Sequence, residues 1–293
     1  MNKLLTLLVL GVMLASCDDG PTRPFHGALY FGQGAYLMRL SLTDGGQSIV
    51  GHLGDTIIRQ VTALGNDDLL VAESASVNRL RVSRISWVDP KTGETADLYA
   101  GTLVEHLADP GVVVYDDGSE LYAVPQQAWN DNEVVFSHPQ KPLSRLLEAS
   151  PGILLIETGD TDTAGIIAWD ARTGTLRDLP GLAKTCRLVG AVWIDSLERL
   201  ACKQRAMVPA DSQYVLTDLE GKADGRLALP EDKDFFALVY IENQNTLVLR
   251  ETRQSWLGKR DKYAVWMHDL ESGESYRVAN NVNLGNSVVY ANF

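Results

Sequence analysis

The chain has 293 residues and an apolar fraction of 45%, enough to fill a core, which excludes an intrinsically disordered protein. Its formal charge of −12 gives a surface that repels nucleic acid and anionic headgroups, so no nucleic-acid partner is expected. The acidity suits solubility or recognition of a basic partner.

The first sixteen residues read MNKLLTLLVLGVMLAS. Lys3 gives a short positive start, and Leu4 to Leu14 is an apolar run broken only by Thr6 and Gly11. Eleven helical residues span about 16 Å, roughly half of a ~30 Å bilayer core, so the run has the size of a signal-peptide core and not of a membrane span. Leu14-Ala15-Ser16-Cys17 closes it and resembles the lipobox of bacterial lipoproteins. That resemblance implies lipidation of Cys17, cleavage just before it, and anchoring by several acyl chains, where one alone is marginal. Asp18 and Asp19 follow. An Asp after the cysteine resembles the signal that keeps enterobacterial lipoproteins in the inner membrane, which implies the periplasmic face of that membrane over the outer one. The expected organisation is a signal peptide over 1–16, a lipidated cysteine and polar tether over 17–25, and one domain over 26–293.

Past residue 25 there is little helical periodicity. Runs of four to eight residues rich in Val, Ile, Leu, Tyr and Trp alternate with Gly/Asp/Asn/Ser clusters, which argues all-β. One signature recurs: a strand, a polar turn with Gly, and another short strand. It occurs from Trp87 to Gly93, Trp169 to Gly174, Tyr214 to Gly221 and Trp266 to Gly273, with weaker instances from Leu40 to Gly45 and from Phe136 to Lys141. Equivalent points at 41, 89, 138, 170, 218 and 269 lie 48, 49, 32, 48 and 51 residues apart. In each good instance Asp opens the turn by bonding its own backbone and Gly supplies positive φ. Apolar hairpins precede the signatures at 61–71, 112–122, 191–201 and 238–248.

Each unit is thus a four-stranded meander of about 45 residues, the blade of a β-propeller. The chain begins with three strands of a unit (28–31, 36–40, 48–53) and finishes with one orphan strand (287–290), so the C-terminal strand is expected to pair with N-terminal ones and close the ring. The count is six four-stranded blades. The 32-residue interval points to a shortened blade near 149–179 and leaves five or seven as alternatives. The pattern resembles the broad bacterial group of WD40-like, TolB-like and quinoprotein-like propellers, a likeness that implies a fold and no particular function. Trp87, Trp169 and Trp266 sit at equivalent repeat positions and read as blade packing.

With Cys17 lipidated, Cys186 and Cys202 remain as a pair. A disulfide between them requires the segment before the hairpin at 188–203 to curl back; the alternative is two buried free thiols. The five histidines, His26, His52, His106, His138 and His268, show no metal-ligand spacing and read as turn or surface residues. Gly32-Gln33-Gly34 reads as a tight turn. Asp160-Thr-Asp162 before Gly165 partly resembles the start of a calcium loop but lacks its third ligand and its bidentate Glu, so it reads as a solvated turn. No nucleophile elbow or phosphate loop occurs. No metal, cofactor or catalytic residue is expected.

A longer connection, Arg250 to Lys262, carries Arg253, Trp256, Lys259 and Arg260 and is a candidate contact loop in an otherwise acidic protein. The strands assigned to the channel (61–64, 112–115, 189–194, 236–241) are almost wholly apolar, which argues against a metal centre there. The function these features suggest is a membrane-anchored protein-binding or scaffold module of the cell envelope, held by lipid alone. The alternatives are a sensor of small ligands at the channel face, and a propeller enzyme of the hydrolase or lactonase type.

Overall fold

The computed structural model of the chain describes residues 25–292 apart from 66, 78–79, 127, 129–130, 139–142, 160–164, 204–213, 231–232, 254–261 and 286. Six four-stranded antiparallel sheets form a six-bladed propeller. Blade 1 joins β24 (Val288–Ala291) to β1 (Ala28–Gln33), β2 (Tyr36–Ser41) and β3 (Gln47–His52). Blade 2 is β4 (Ile57–Ala63), β5 (Leu69–Val77), β6 (Leu80–Val88) and β7 (Thr95–Tyr99). Blade 3 is β8 (Leu103–Leu107), β9 (Val112–Asp116), β10 (Glu120–Pro125) and β11 (Glu133–Ser137). Blade 4 is β12 (Leu143–Ser150), β13 (Ile153–Thr158), β14 (Gly165–Asp170) and β15 (Thr175–Asp178). Blade 5 is β16 (Val192–Ile194), β17 (Arg199–Lys203), β18 (Tyr214–Thr217) and β19 (Ala223–Arg226). Blade 6 is β20 (Phe235–Ile241), β21 (Thr246–Arg253), β22 (Lys262–Asp269) and β23 (Ser275–Asn280).

The ring closes as the chain ends suggest. β24 pairs antiparallel with β1, with Leu29 opposite Tyr290 and Phe31 opposite Val288, so no inner sheet edge is left open. The first strands β4, β8, β12, β16, β20 and β24 touch in that order around the axis.

Each meander places its first and third turns on one face of the disc, here the turn face. Its second connection and its link to the next blade lie on the other, the link face. Six buried apolar clusters fill the gaps between successive blades. Neighbouring residues of one strand serve different gaps: Leu154 packs towards blade 3 and Leu155 towards blade 5. Second strands are therefore covered on both faces, and strands such as β13 read as continuous apolar runs instead of alternating ones, whereas an outer strand such as β15 is exposed.

The repeated turns are built as expected. Asp89 Oδ1 accepts the Lys91 and Thr92 amides at 2.7 and 3.3 Å, and Gly93 takes φ +74°. Asp170 with Gly174 and Asp269 with Gly273 repeat this. Trp87, Trp169 and Trp266 all stand on third strands, opposite Leu70, Leu154 and Leu249. β1 ends in a tight turn at Gly34, φ +63°.

Two expectations about the blades need correction. Blade 4 has all four strands, so no blade is shortened. The short interval arose because Phe136 to Lys141 is not a third turn: Phe136 lies on β11, the outer strand of blade 3, and His138 is on the link that leaves it. Likewise 112–122 is the second hairpin of its blade (β9 and β10), so 112–115 does not line the channel.

A charged residue recurs at the fifth position of the second strands and holds the links. Glu73, Asp116, Glu157, Lys203 and Arg250 occupy this position in blades 2 to 6. Thr56 donates to Glu73, and Thr102 Oγ1 donates to Asp116 Oδ2 at 2.8 Å. Arg187 donates to Glu157, Lys203 Nζ donates to Asp234 Oδ1 at 2.6 Å, and Arg250 donates to the Gly285 carbonyl. Asp116 also faces His138 on the outgoing link, 3.0 Å away. All six links are thereby tied to a blade. In blade 1 the position is Gly32, where a Cβ would come within 2.4 Å of Ile58.

His106, His138 and His268 are buried, where turn or surface positions were expected. They lie towards the ends of strands and links, with His106 Nδ1 3.1 Å from the Ala63 carbonyl, His138 Nε2 3.0 Å from Asp116 Oδ1 and His268 Nδ1 2.9 Å from Ser275 Oγ.

Cys186 and Cys202 form a disulfide with a Cα–Cα distance of 5.3 Å. The required curl is supplied by α1 (Pro180–Thr185) in the link from blade 4 to blade 5, which Cys186 caps. The register Val192 opposite Ala201 carries back to Ala191 opposite Cys202, as the hairpin reading requires.

Candidate functional site: the central channel

All six blades contribute to a cavity of about 470 Å³ along the axis. β4 brings Gln60 and Thr62, β8 brings Glu105, β12 brings Arg145 and Glu148, and β16 brings Trp193. β20 adds Leu238 to Tyr240, and the start of β24 adds Val288 and Val289. At the ends of the first strands, Asp109, Pro151, Asp195 and Glu242 surround the opening, which places the mouth on the turn face.

This corrects the expectation of an apolar channel. That expectation used 112–115 in place of β8 and assigned no inner strand to blade 4, so it missed Glu105, Arg145 and Glu148. The signal was present in the sequence: LVEHL and LSRLLEAS are apolar runs interrupted by charge, which an open sheet face explains poorly and a channel wall explains well.

The deeper part of the site is organised around Glu105. Thr62 Oγ1 donates to Glu105 Oε1 at 3.1 Å and Gln60 Nε2 donates to Oε2 at 3.4 Å. The Val104 amide in turn donates to Gln60 Oε1 at 3.4 Å. Burial pushes the Glu105 carboxyl above the usual carboxylate range, with Arg145 and Thr62 acting in the opposite sense. Burial draws Arg145 down from the ordinary guanidinium value, with Glu105 and Glu157 opposing.

Nearer the mouth, Glu148 is pushed up to about 7 by burial first and the Glu105 charge second, while the Gly152 amide, at 3.4 Å, acts against the shift. Asp195 accepts from Trp193 Nε1 at 2.9 Å and Tyr240 donates to Asn245 at 3.0 Å, so both aromatic rings are fixed beside the opening. Asp109 pairs with Arg172 on blade 4. Glu148, Asp195 and Glu242 form no salt bridge among the described residues. The mouth is therefore a cavity with apolar and aromatic walls and an excess of negative charge. Such a lining favours a cationic group carried on an apolar stem.

No group of three or more metal-ligating side chains occurs among the described residues, and no helix among them is long and apolar enough to cross a membrane. Of the residues singled out from sequence, Cys186 and Cys202 are joined and are not part of the channel lining. Cys17, Asp160 and Asp162 lie outside the described residues, as do Trp256, Lys259 and Arg260. Arg253 ends β21, its side chain also outside them; that strand end is on the link face of blade 6, opposite the mouth.

Neither a protein-family model nor a curated protein matches this chain. Solved structures do. TolB from Acinetobacter baumannii superposes with a TM-score of 0.57 at 9% identity, over 89% of this chain and 66% of that one. A structure assigned as TolB from Agrobacterium tumefaciens gives 0.58 at 9% identity, over 91% and 99%. A puromycin-hydrolyzing peptidase of Mycobacterium tuberculosis gives 0.55 at 14% identity, over 90% of this chain and 45% of the peptidase. The chain thus spans less than half of that enzyme and about two thirds of the Acinetobacter protein. At these identities the likeness is one of fold, and it identifies the chain as a six-bladed propeller with TolB-like neighbours.

Proposed function

We propose that this protein is a lipid-anchored, extracytoplasmic propeller that binds another protein of the cell envelope at the mouth of its channel. Cys17 carries the lipid, and the periplasmic face of the inner membrane is its place. The observation that carries the binding role is the mouth itself: a cavity built by all six blades, with Trp193 and Tyr240 beside Glu148, Asp195 and Glu242. A rigid ring presents these groups without reorganising, which lowers the entropic cost of binding. The favoured partner segment is basic, and long-range attraction to an acidic disc speeds its encounter. Small-ligand sensing is the second function supported, because about 470 Å³ lies within the range of small-molecule sites.

The test is affinity purification of the lipidated protein from detergent-solubilised envelope, beside the variant Glu148→Gln/Glu242→Gln. A stoichiometric partner lost at least tenfold in the variant supports the binding role. A partner retained equally, or a solitary monomer with a small molecule in its channel, contradicts it.

A further inference from the structure

The point where the chain enters the disc fixes which face the anchor can reach. Phe25 is buried between blades 6 and 1, with its ring 5.5 Å from that of Tyr276. The His26 carbonyl accepts from Gln244 Nε2 at 3.0 Å, and the same amide group donates to the Tyr290 hydroxyl at 3.0 Å. Gln244 belongs to the first turn of blade 6, and Leu42, just past β2, donates its amide to the Gly27 carbonyl. Every one of these contacts is on the turn face, from which β1 then runs towards the link face.

Phe25 follows Cys17 by only eight positions, a reach of roughly 28 Å when fully extended. A six-residue strand such as β1 is about 20 Å long, and the path from Phe25 to the far face must also run outward to the rim. A tether of this length does not wrap around the disc to put the link face against a membrane.

Resting on the anchor reading above, we propose that the turn face is the membrane-side face, and that the channel mouth receives an extramembrane segment of an integral membrane protein. The mouth then opens into the gap between disc and bilayer. Its excess negative charge disfavours direct contact with anionic headgroups and complements Lys or Arg side chains. The link face, where β21 ends at Arg253 and β22 begins at Lys262, points away.

The experiment uses the full-length gene product, processed and lipidated in cells and reconstituted into vesicles that carry an acceptor dye on their lipids. A donor is placed, through an azide-bearing residue, at exposed Glu271 on the turn face or at exposed Asp55 on the link face. Energy transfer at 271 is expected to be at least twice that at 55, and inserting about twenty Gly/Ser residues after Asp19 should erase the difference. Equal or reversed transfer with the native tether overturns the orientation while leaving the anchor intact, and so does a difference that survives lengthening. Failure of the protein to associate with vesicles overturns the anchor. For the occupant, a photo-crosslinker at Glu242 should capture a protein that resists alkaline extraction from membranes; capture of an extractable protein overturns that assignment.

Discussion

The Nε2 of His138 lies 3.0 Å from Oδ1 of Asp116, with both side chains almost sealed from solvent. The carboxylate also accepts from Thr102 and from the Gly118 amide. One side chain on the second strand of blade 3 thus grips the links that enter and leave that blade. Asp116→Ala removes all of these contacts and leaves buried partners unsatisfied, which costs about 3 kcal/mol. Asp116→Asn keeps part of the network and should cost about half as much. Urea unfolding monitored by tryptophan fluorescence reads both values, and a loss below about 0.5 kcal/mol for the alanine variant would show that the grip is dispensable.

The same position in blade 4 gives a parallel prediction. Glu157 is fully buried and accepts from Ser144 Oγ at 2.9 Å, from Arg187 and from the Leu188 amide. Glu157→Ala should destabilise the domain by about 3 kcal/mol and loosen the link that carries α1. Hydrogen exchange should show faster exchange over 179–191 than over β1, whose contacts are untouched. Uniform exchange across both segments would contradict a local role.

The disulfide joins residues 16 apart in sequence, a loop whose closure is worth about 3 kcal/mol in the chain-entropy model. Cys186→Ser/Cys202→Ser should lower stability by that order, and reductant should do the same to the wild type and nothing to the variant. Equal thiol labelling with and without reductant would rule the bond out.

Glu148 makes stability depend on pH in an uncommon direction. Its folded value of about 7 lies above the ordinary glutamate value of 4.5, so the folded state binds the proton more tightly than the unfolded chain. Stability is therefore fullest below pH 4.5 and falls as pH rises towards 7, where the carboxyl ionises in the channel. The loss is on the order of 2 kcal/mol after allowance for water in the open cavity. Glu148→Gln should flatten this part of the profile. Persistence of the same slope in the variant would place its source elsewhere, with Glu105 the next group to substitute.

The ring, its closure and the turn chemistry were legible in the sequence because they rest on local rules: strand runs, Asp-to-Gly turns and a period near 48 residues. The channel was not. Which strand of a meander is innermost depends on where the repeat frame starts, and in blade 3 the hairpin of β9 and β10 imitates the hairpin of β4 and β5. A shift of one strand moved Glu105 out of view, and blade 4, left without an inner strand, hid Arg145 and Glu148. The link clasps were hidden for a related reason. A single Glu in LLVAE or ILLIE looks like the exposed end of a strand until the neighbouring link is in place to bury it. The disulfide was half legible, since pairing followed from the count of cysteines but the curl required α1.

On the proposal that Cys17 carries the lipid, Cys17→Ser should abolish palmitate labelling and leave the variant as uncut precursor or in the soluble fraction. Membrane-anchored, labelled protein in that variant would refute the anchor.

Site-specific photo-crosslinking in intact cells reads directly whether the channel mouth is a protein-binding surface. A photoreactive residue at Glu242, beside the mouth, should give one discrete crosslinked product, and the same residue at Asp55 on the opposite face should not. Adding Glu148→Gln should weaken the product at 242 by at least several-fold. A product at 55 but not at 242, or none at either position, would show that the mouth is not the binding surface.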